Sequence, residues 1–537
     1  MPDLPTVRDV AELVVVAARE QPQRLAVVES GGRALTWSQL EDEVARVATG
    51  LGRAGVRGGQ RVMLALGNRL ELVAAYLGVL RAQAVAVPVN PRSSVDELAR
   101  MIADSGSRLL VVDGVAAGPA REALTLLRRA REGTGASDED VLTRAARPTL
   151  VVVGAPAQEG ERTYDELRAG EPRPVTPLRD PEKLAALLYT SGTSGRPRAA
   201  MLTHRALLAN LDQVARVQPP MIHGDDVVLG VLPLFHVYGL NAVLGGVLRH
   251  RARLVLVEHY DAHEIIGLID DEACSVVPIA PPVFAHWEDD PDLTDHLGPV
   301  RLVLSGSAPL AEEVVDRFTA RTGIPVHQGY GLTEAAPVVT STLCSAAAKP
   351  GSVGAALPGV ELRVVDESGD APDAGDPGEI HVRGPNLFSG YWPDGAGGPD
   401  ADGWYATGDV GFLDEAGDLF LVDRLKELVI VSGFNVYPTE VEDVIREVAG
   451  VLDTAVIGVD DPVTGEAVVA YVRASGGSAA PEELVGRVRA HCATRLARFK
   501  QPSRVEVVDQ LPKTVTGKVQ KGRLRGLERR RHVGLLE

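Results

Sequence analysis

Short, almost wholly apolar runs recur through the first two-thirds of the chain, and a helix-patterned stretch separates each from the next. RVMLAL at 61–66 is followed by the helical ELVAAYLGVLRA, by AVAVPVN at 84–90, by a short helix from Val95 to Asp104, and by RLLVVD at 108–113. The rhythm returns in RLVLVE (253–258), CSVVPIA (274–280) and RLVLSGS (301–307). Strands apolar on both faces must be covered on both faces, which points to parallel sheets flanked by helices. Val44, Val47, Ala48 and Leu51 recur at i, i+3, i+4 and i+7 and predict one covering helix. At 537 residues the chain is long for one core, so at least two domains are expected.

The texture changes along the chain. Residues 114–148 carry charge and small residues with little strand pattern and read as a surface insertion with some helix. EPRPVTPLRDPE at 171–182 reads as a connector. From about residue 358, short strands broken by Gly, Asp and Pro turns predict antiparallel β. After about residue 427 the helix EVEDVIREVAG, the strands DTAVIGV and AVVAYVRA, the helix PEELVGRVRAHCATRL and the strand RVEVVD form a compact unit. The expected class is α/β. Residues 1–425 make a large domain of parallel-sheet subdomains plus a small β-rich subdomain, and residues 426–537 a small α+β domain.

A formal net charge of −18 argues against broad binding to nucleic acid or to anionic membrane. Phosphate must be held by a local constellation. Arg523, Arg525, Arg529, Arg530 and Arg531 form a basic cluster that reads as a solvated tail. Cys274, Cys344 and Cys492 are odd in number and far apart, which disfavours a disulfide framework or a zinc cluster and fits a reducing cytoplasm. The N-terminal MPDLPTVRDVAELVVV has no basic n-region. No run approaches the roughly 20 apolar residues of a membrane span.

The most informative segment is Thr190-Ser191-Gly192-Thr193-Ser194-Gly195-Arg196-Pro197-Arg198, after the apolar KLAALLY. Its glycines let backbone approach a ligand, its hydroxyls and amides can donate to phosphate oxygens, and its arginines add charge. A flexible Gly/Ser linker is the plainer reading, but a linker has no reason to follow a buried strand and precede MLTHRALLANL, which reads as a helix. The Walker pattern, Gly-Lys-Ser/Thr opening a helix, is absent. Pro233-Leu234-Phe235-His236-Val237-Tyr238-Gly239 offers a histidine that would otherwise pass for a core residue. Gly306-Ser307-Ala308-Pro309 and Gln328-Gly329-Tyr330-Gly331-Leu332-Thr333-Glu334 each follow a predicted strand, where open α/β sheets bind ligands. Gly403 to Asp409, Asp423-Arg424-Leu425-Lys426-Glu427, Ser432-Gly433-Phe434-Asn435 and Pro512-Lys513-Thr514-Val515-Thr516-Gly517-Lys518 complete the series.

These motifs, in this order, resemble the adenylate-forming superfamily of acyl-CoA synthetases, luciferases and peptide-synthetase adenylation domains, over roughly residues 25–525. The resemblance implies an acyl-CoA synthetase using ATP, Mg²⁺ and coenzyme A. It implies that 190–198 holds the ATP phosphates, with Arg198-Ala199 where the family usually has Lys-Gly. Ser307, Ala308, Pro309 and Tyr330 would surround adenine, and Gln328, Gly329 and Gly331 would belong to the same nucleotide site. Thr333 would touch the α-phosphate, Glu334 bind Mg²⁺, and Asp409 and Arg424 hold the ribose. Lys426 falls at the hinge of a mobile lid, Ser432 and Gly433 line the pantetheine tunnel, and Lys518 is the catalytic lysine. His236, Val237, Leu240 and Gly306 would border the acid. Amino-acid activators usually carry Asp where His236 stands, because an ammonium needs a carboxylate partner, so the acid expected here has no α-amine; the apolar Val237, Leu240, Val243 and Leu244 suit a fatty or other apolar acid, and a small dicarboxylate stays open. Loading of a carrier protein's phosphopantetheine, a luciferase-like oxygenase, a non-catalytic nucleotide sensor and a homodimer stay open on the sequence.

Overall fold

The computed structural model describes the chain except residues 1–6, 133–147, 191–197, 289, 309, 367, 374–375, 425–426, 432–433, 462–463, 476–479, 515–516 and 533–537. Two seven-stranded sheets dominate the N-terminal part. The first orders Arg162–Thr163, Thr149–Val152, Leu109–Val112, Arg61–Ala65, Val85–Pro88, Leu184–Thr190 and Arg198–Thr203. All pairings are parallel until the last, which is antiparallel. The second orders Val326–Gln328, Leu302–Ser305, Val276–Ile279, Val227–Gly230, Arg253–Leu256, Leu25–Glu29 and Ala34–Thr36, again parallel except at its last pair. Val85–Pro88, Leu109–Val112 and Val276–Ile279 are buried at every position, as a strand covered on both faces must be.

The helix predicted around Val44 runs Trp37–Arg53 and buries all four residues of the pattern. It starts where Thr36 accepts from the Gln39 amide and Gln39 reaches back, a reciprocal cap that satisfies two end donors. Two expectations need correction. The stretch after Gly114 is not a surface insertion in its first half: Gly114–Glu132 is a helix laid on the sheet, with Ala116, Ala117, Ala120 and Ala123 buried. MLTHRALLANL is not helical from its start. Arg198–Thr203 is a strand, paired back onto Leu184–Thr190 with Thr190 opposite Arg198, and the helix begins at His204.

Asn68, buried at the end of the strand Arg61–Ala65, fastens the two sheets together. Its amide donates to the carbonyls of Gly230 and Leu232 at 3.0 and 2.9 Å and accepts from the Leu234 amide at 2.9 Å. The Phe235-His236 segment is thereby hung from both sheets. A six-stranded antiparallel sheet follows over residues 340–424, matching the predicted β-rich subdomain. A last sheet of five strands lies within residues 429–508 and packs on the helices Pro438–Arg446 and Pro481–Arg495. Among the described residues no helix is long and apolar enough to cross a membrane.

Candidate active site

The strand ends and the loops after them open into a cavity of about 780 Å³. One part of its wall is polar: Thr190 and Arg198, Gln328 to Glu334, Asp409, and Lys518 from the C-terminal domain. The rest is apolar. Val228, Val276 and Leu304 come from neighbouring strands of the second sheet; Tyr238, Ala242 and Val243 come from the helix over them; and Val214, Met221 and Ile222 complete the lining.

That helix, Tyr238–Gly245, is a π-helix. Gly239 lets it start hard against the preceding loop, where a methyl would meet the Pro233 carbonyl at 2.3 Å. Its wider turn decides which side chains reach the cavity. Val237, Tyr238, Ala242 and Val243 do, whereas Leu240 is buried in the hydrophobic core and does not line the space, contrary to expectation. Sequence spacing cannot show an inserted residue in a helical turn.

The polar wall is tightly bonded. Tyr330 donates its hydroxyl to Asp409 at 2.6 Å, and its amide donates to the Thr340 hydroxyl at 3.2 Å. Gly329 and Gly331 fit where a Cβ would strike the carbonyls of Thr340 and Pro337 at 2.7 and 2.5 Å. Gly408 turns at φ +74° and donates to Glu379 at 3.0 Å, which aims Asp409 into the cavity. Ser307 sits at φ +74° and lines the wall; Ala308 follows in the same turn without lining it. Glu334, buried in the short helix Thr333–Ala335, accepts from the Tyr391 hydroxyl at 2.5 Å. Thr190 donates to the Arg198 carbonyl at 3.3 Å.

Lys518 arrives on a tight turn. Thr514 N donates to the Lys518 carbonyl at 2.7 Å, Lys518 N donates to the Thr514 hydroxyl at 3.1 Å, and Gly517 turns at φ +81°. A methyl on Gly517 would lie 2.4 Å from Pro282 Cγ, so the lysine turn rests directly on the N-terminal domain. Desolvation pushes the His236 imidazole down to about 4, and the Lys518 charge pushes the same way. His236 is therefore neutral at physiological pH.

Of the other expected residues, Arg424 ends the strand Asp418–Arg424, its backbone opposite Asp409. Ser191, Gly192, Thr193, Ser194, Gly195, Pro309, Lys426, Ser432 and Gly433 lie outside the described residues. Tyr391, Glu379 and the strand residues Val276 and Leu304 also line the cavity, and no motif in the sequence marks them; Tyr405 lines it too, from within the Gly403 to Asp409 motif. For Tyr391 the available signal is Gly390-Tyr391, an aromatic after a glycine like Gly329-Tyr330.

The profile of the AMP-binding enzyme family matches residues 14–392, and that of the AMP-binding enzyme C-terminal domain matches residues 440–518. The chain belongs to the AMP-binding enzyme family. A 4-coumarate–CoA ligase-like protein of Oryza sativa subsp. japonica is 34% identical over 96% of this chain and 92% of its own. A long-chain-fatty-acid–CoA ligase of Bacillus subtilis (strain 168) is 32% identical over 93% and 91%. Crystalline ATP-bound MatB from Rhodopseudomonas palustris superposes with a TM-score of 0.84 at 32% identity, covering 96% of this chain and 98% of that one. Within this adenylate-forming superfamily the chain is an AMP-forming acid–thiol ligase of the acyl-CoA synthetase branch, and family membership implies the use of ATP and coenzyme A.

Mg²⁺ is a separate matter. Among the described residues no three His, Cys, Asp or Glu side chains converge on one point. Glu334 alone suits an ion that arrives on a polyphosphate, since Mg²⁺ takes one or two protein carboxylates beside phosphate oxygens.

Proposed function

We propose that this ligase activates an apolar monocarboxylic acid, fatty or aryl, as its acyl-adenylate and passes the acyl group to coenzyme A. One observation carries the reading: a single cavity joins a wall bearing Arg198, Glu334, Asp409 and Lys518 to an apolar slot that, among the described residues, has no charged side chain between Val228, Val276 and Leu304 on one side and Ala242 and Val243 on the other. A carboxylate with an apolar tail can lie across that join; a second carboxylate in the slot would be desolvated without a cation to pair with among the described lining residues. A neutral His236 next to the join adds no ammonium-binding charge.

In the first step a carboxylate oxygen attacks the α-phosphorus of ATP and pyrophosphate departs. Arg198 and Lys518 face the charge that builds there, each worth on the order of 10²–10³ in rate by comparison with other fixed electrostatic donors. Asp409 accepts from the ribose, with Arg424 beside it, and Tyr330 and Ser307 to Pro309 border adenine. Glu334 would hold Mg²⁺, which neutralises charge on the phosphates. In the second step the coenzyme A thiolate attacks the acyl carbonyl and AMP leaves. Residues 1–425 and 426–537 act as body and lid, and Ser432 and Gly433 line the thiol's path in the second step.

The test is pyrophosphate release across a panel of acids, with and without coenzyme A. Alkanoic and aryl monocarboxylates should release pyrophosphate, dicarboxylates of the same length should not, and coenzyme A should convert the adenylate to thioester. Preference for a dicarboxylate would overturn the substrate class. Accumulated acyl-AMP that coenzyme A does not consume would point instead to a carrier protein's phosphopantetheine.

A further inference from the structure

The cavity wall holds two opposite charges whose separation depends on one ring. The Arg198 guanidinium lies over the Tyr391 ring, 3.6 Å from its centroid. The hydroxyl of the same ring donates to Glu334 Oε1 at 2.5 Å. The ring thus stands between the two, one charge on its face and the other at its hydroxyl. The ring itself is fixed from three directions. Phe388 meets Tyr391 edge-on at 5.0 Å. Tyr391 forms a β-bridge to Ala200, and the Trp392 amide donates to the Ala199 carbonyl at 2.8 Å, so this backbone is tied to the strand that begins at Arg198. Gly397 leaves the space the guanidinium occupies: a methyl there would lie 3.1 Å from Arg198 and 3.3 Å from the Tyr391 ring.

The geometry points to Tyr391 as a positioning residue that keeps Arg198 and Glu334 apart, so that the arginine stays available to phosphate and the glutamate to cation. The inference rests on the adenylation reading above. A cation over an aromatic face is held without neutralisation, and a carboxylate accepting from a phenol keeps its charge. Take the ring away and the two charges, lining one cavity, attract across a partly desolvated gap. Each then cancels what the other offers the nucleotide. The side chain of Arg198 is suited to this parking, because a planar guanidinium stacks on a ring where a compact ammonium does not.

The test is ATP binding by calorimetry without divalent cation, which needs neither turnover nor metal. Tyr391→Phe keeps the face and should bind ATP within about threefold of the unaltered chain. Tyr391→Leu should weaken binding at least tenfold. Glu334→Gln should then improve affinity in the leucine background by at least fivefold more than it does beside the native tyrosine, because it removes the residue that captures the arginine. A purely structural defect gives no such coupling. Tyr391→Met, a long and adaptable side chain without an aromatic face, carries the same cycle if the leucine variant does not fold. Additive effects of Glu334→Gln, or a Tyr391→Leu protein that binds ATP normally, would overturn the proposal and leave the adenylation reading standing. An unaltered chain that does not bind ATP at all would overturn both.

Discussion

Asp9 and His204 form a buried contact far from any bond to be made or broken. Asp9 is 3% exposed and accepts from the Ala11 amide at 2.8 Å, and its carboxylate oxygen lies 3.5 Å from His204 Nδ1. That nitrogen accepts from the Val10 amide at 3.3 Å, so the imidazole is neutral, and burial pushes it down to about 4. Burial pushes the Asp9 carboxyl the other way, from 3.8 up to about 7. A carboxyl raised on folding contributes stability below its unfolded pKa and loses it as pH climbs through the folded one. Asp9→Asn keeps the acceptor for Ala11 and cannot ionise. The variant should therefore gain on the native protein between about pH 4 and 8, by an amount on the order of a few kcal/mol, since a tenfold change in proton affinity is worth about 1.4 kcal/mol. Melting temperatures of both proteins across that range check it; a constant difference would remove Asp9 from the account. Nothing near Asp9 in the sequence announces this, because its partner is His204, and burial alone makes the pair. Lys518 is the opposite case: a lone lysine in a basic tail, it stands out through the Pro-Lys-Thr-x-x-Gly-Lys setting, and the structure adds the Pro282 contact that seats it. Tyr391 carries only a weak signal in the sequence, the glycine before it, because its role depends on a bridge to Ala200, far away along the chain.

The apolar strands are legible element by element, since each has to satisfy burial on two faces at once. The helix Gly114–Glu132 is not. Its core side is made mostly of Ala116, Ala117, Ala120 and Ala123, with Leu127 a turn further on, and alanine buries too little area to mark a face by hydrophobic pattern. The helix Tyr238–Gly245 misleads in a different way. Its apolar content is plain, yet its π turn moves Leu240 into the core and brings Ala242 to the slot. Ala242→Trp should fill part of that slot. With about 0.8 kcal/mol per buried methylene, each methylene excluded costs roughly fourfold in kcat/KM, while short acids keep their rates. Comparing kcat/KM along an unbranched acid series reads this directly, and an equal loss at every length would mean that Ala242 faces something other than the acid's tail.

At the scale of the whole molecule, the chain changes partners over a very short distance. The strand ending at Arg424 is paired with Asp409 of the antiparallel sheet. Glu427 is joined to Lys521, 3.3 Å away in the last helix, and Lys521 also holds Glu442 at 2.8 Å. The change of partner falls between those two residues, where the proposed body and lid meet; the proposed pivot, Lys426, is outside the described residues. Lys518 lines the cavity, the posture that the proposed first half-reaction needs. Proline locks φ near −65°, so Lys426→Pro should freeze the lid. Acyl-AMP and pyrophosphate should still form at near-native rates in a single turnover, while consumption of coenzyme A from pre-formed acyl-AMP should fall by orders of magnitude. Native rates in both steps would move the pivot elsewhere.

The slot between the second sheet and the π-helix has a consequence that can be weighed in a calorimeter. Its lining from Val228, Val276, Leu304 and Val243 is apolar, so an acid tail entering it trades hydrated surface for hydrocarbon contact. Transfers of that kind lower the heat capacity of the system whatever the sign of the enthalpy at one temperature. Binding of the acid should therefore grow more exothermic on warming, and the slope should steepen with each methylene until the tail reaches the far wall. The chain length at which the slope stops changing measures the depth of the slot.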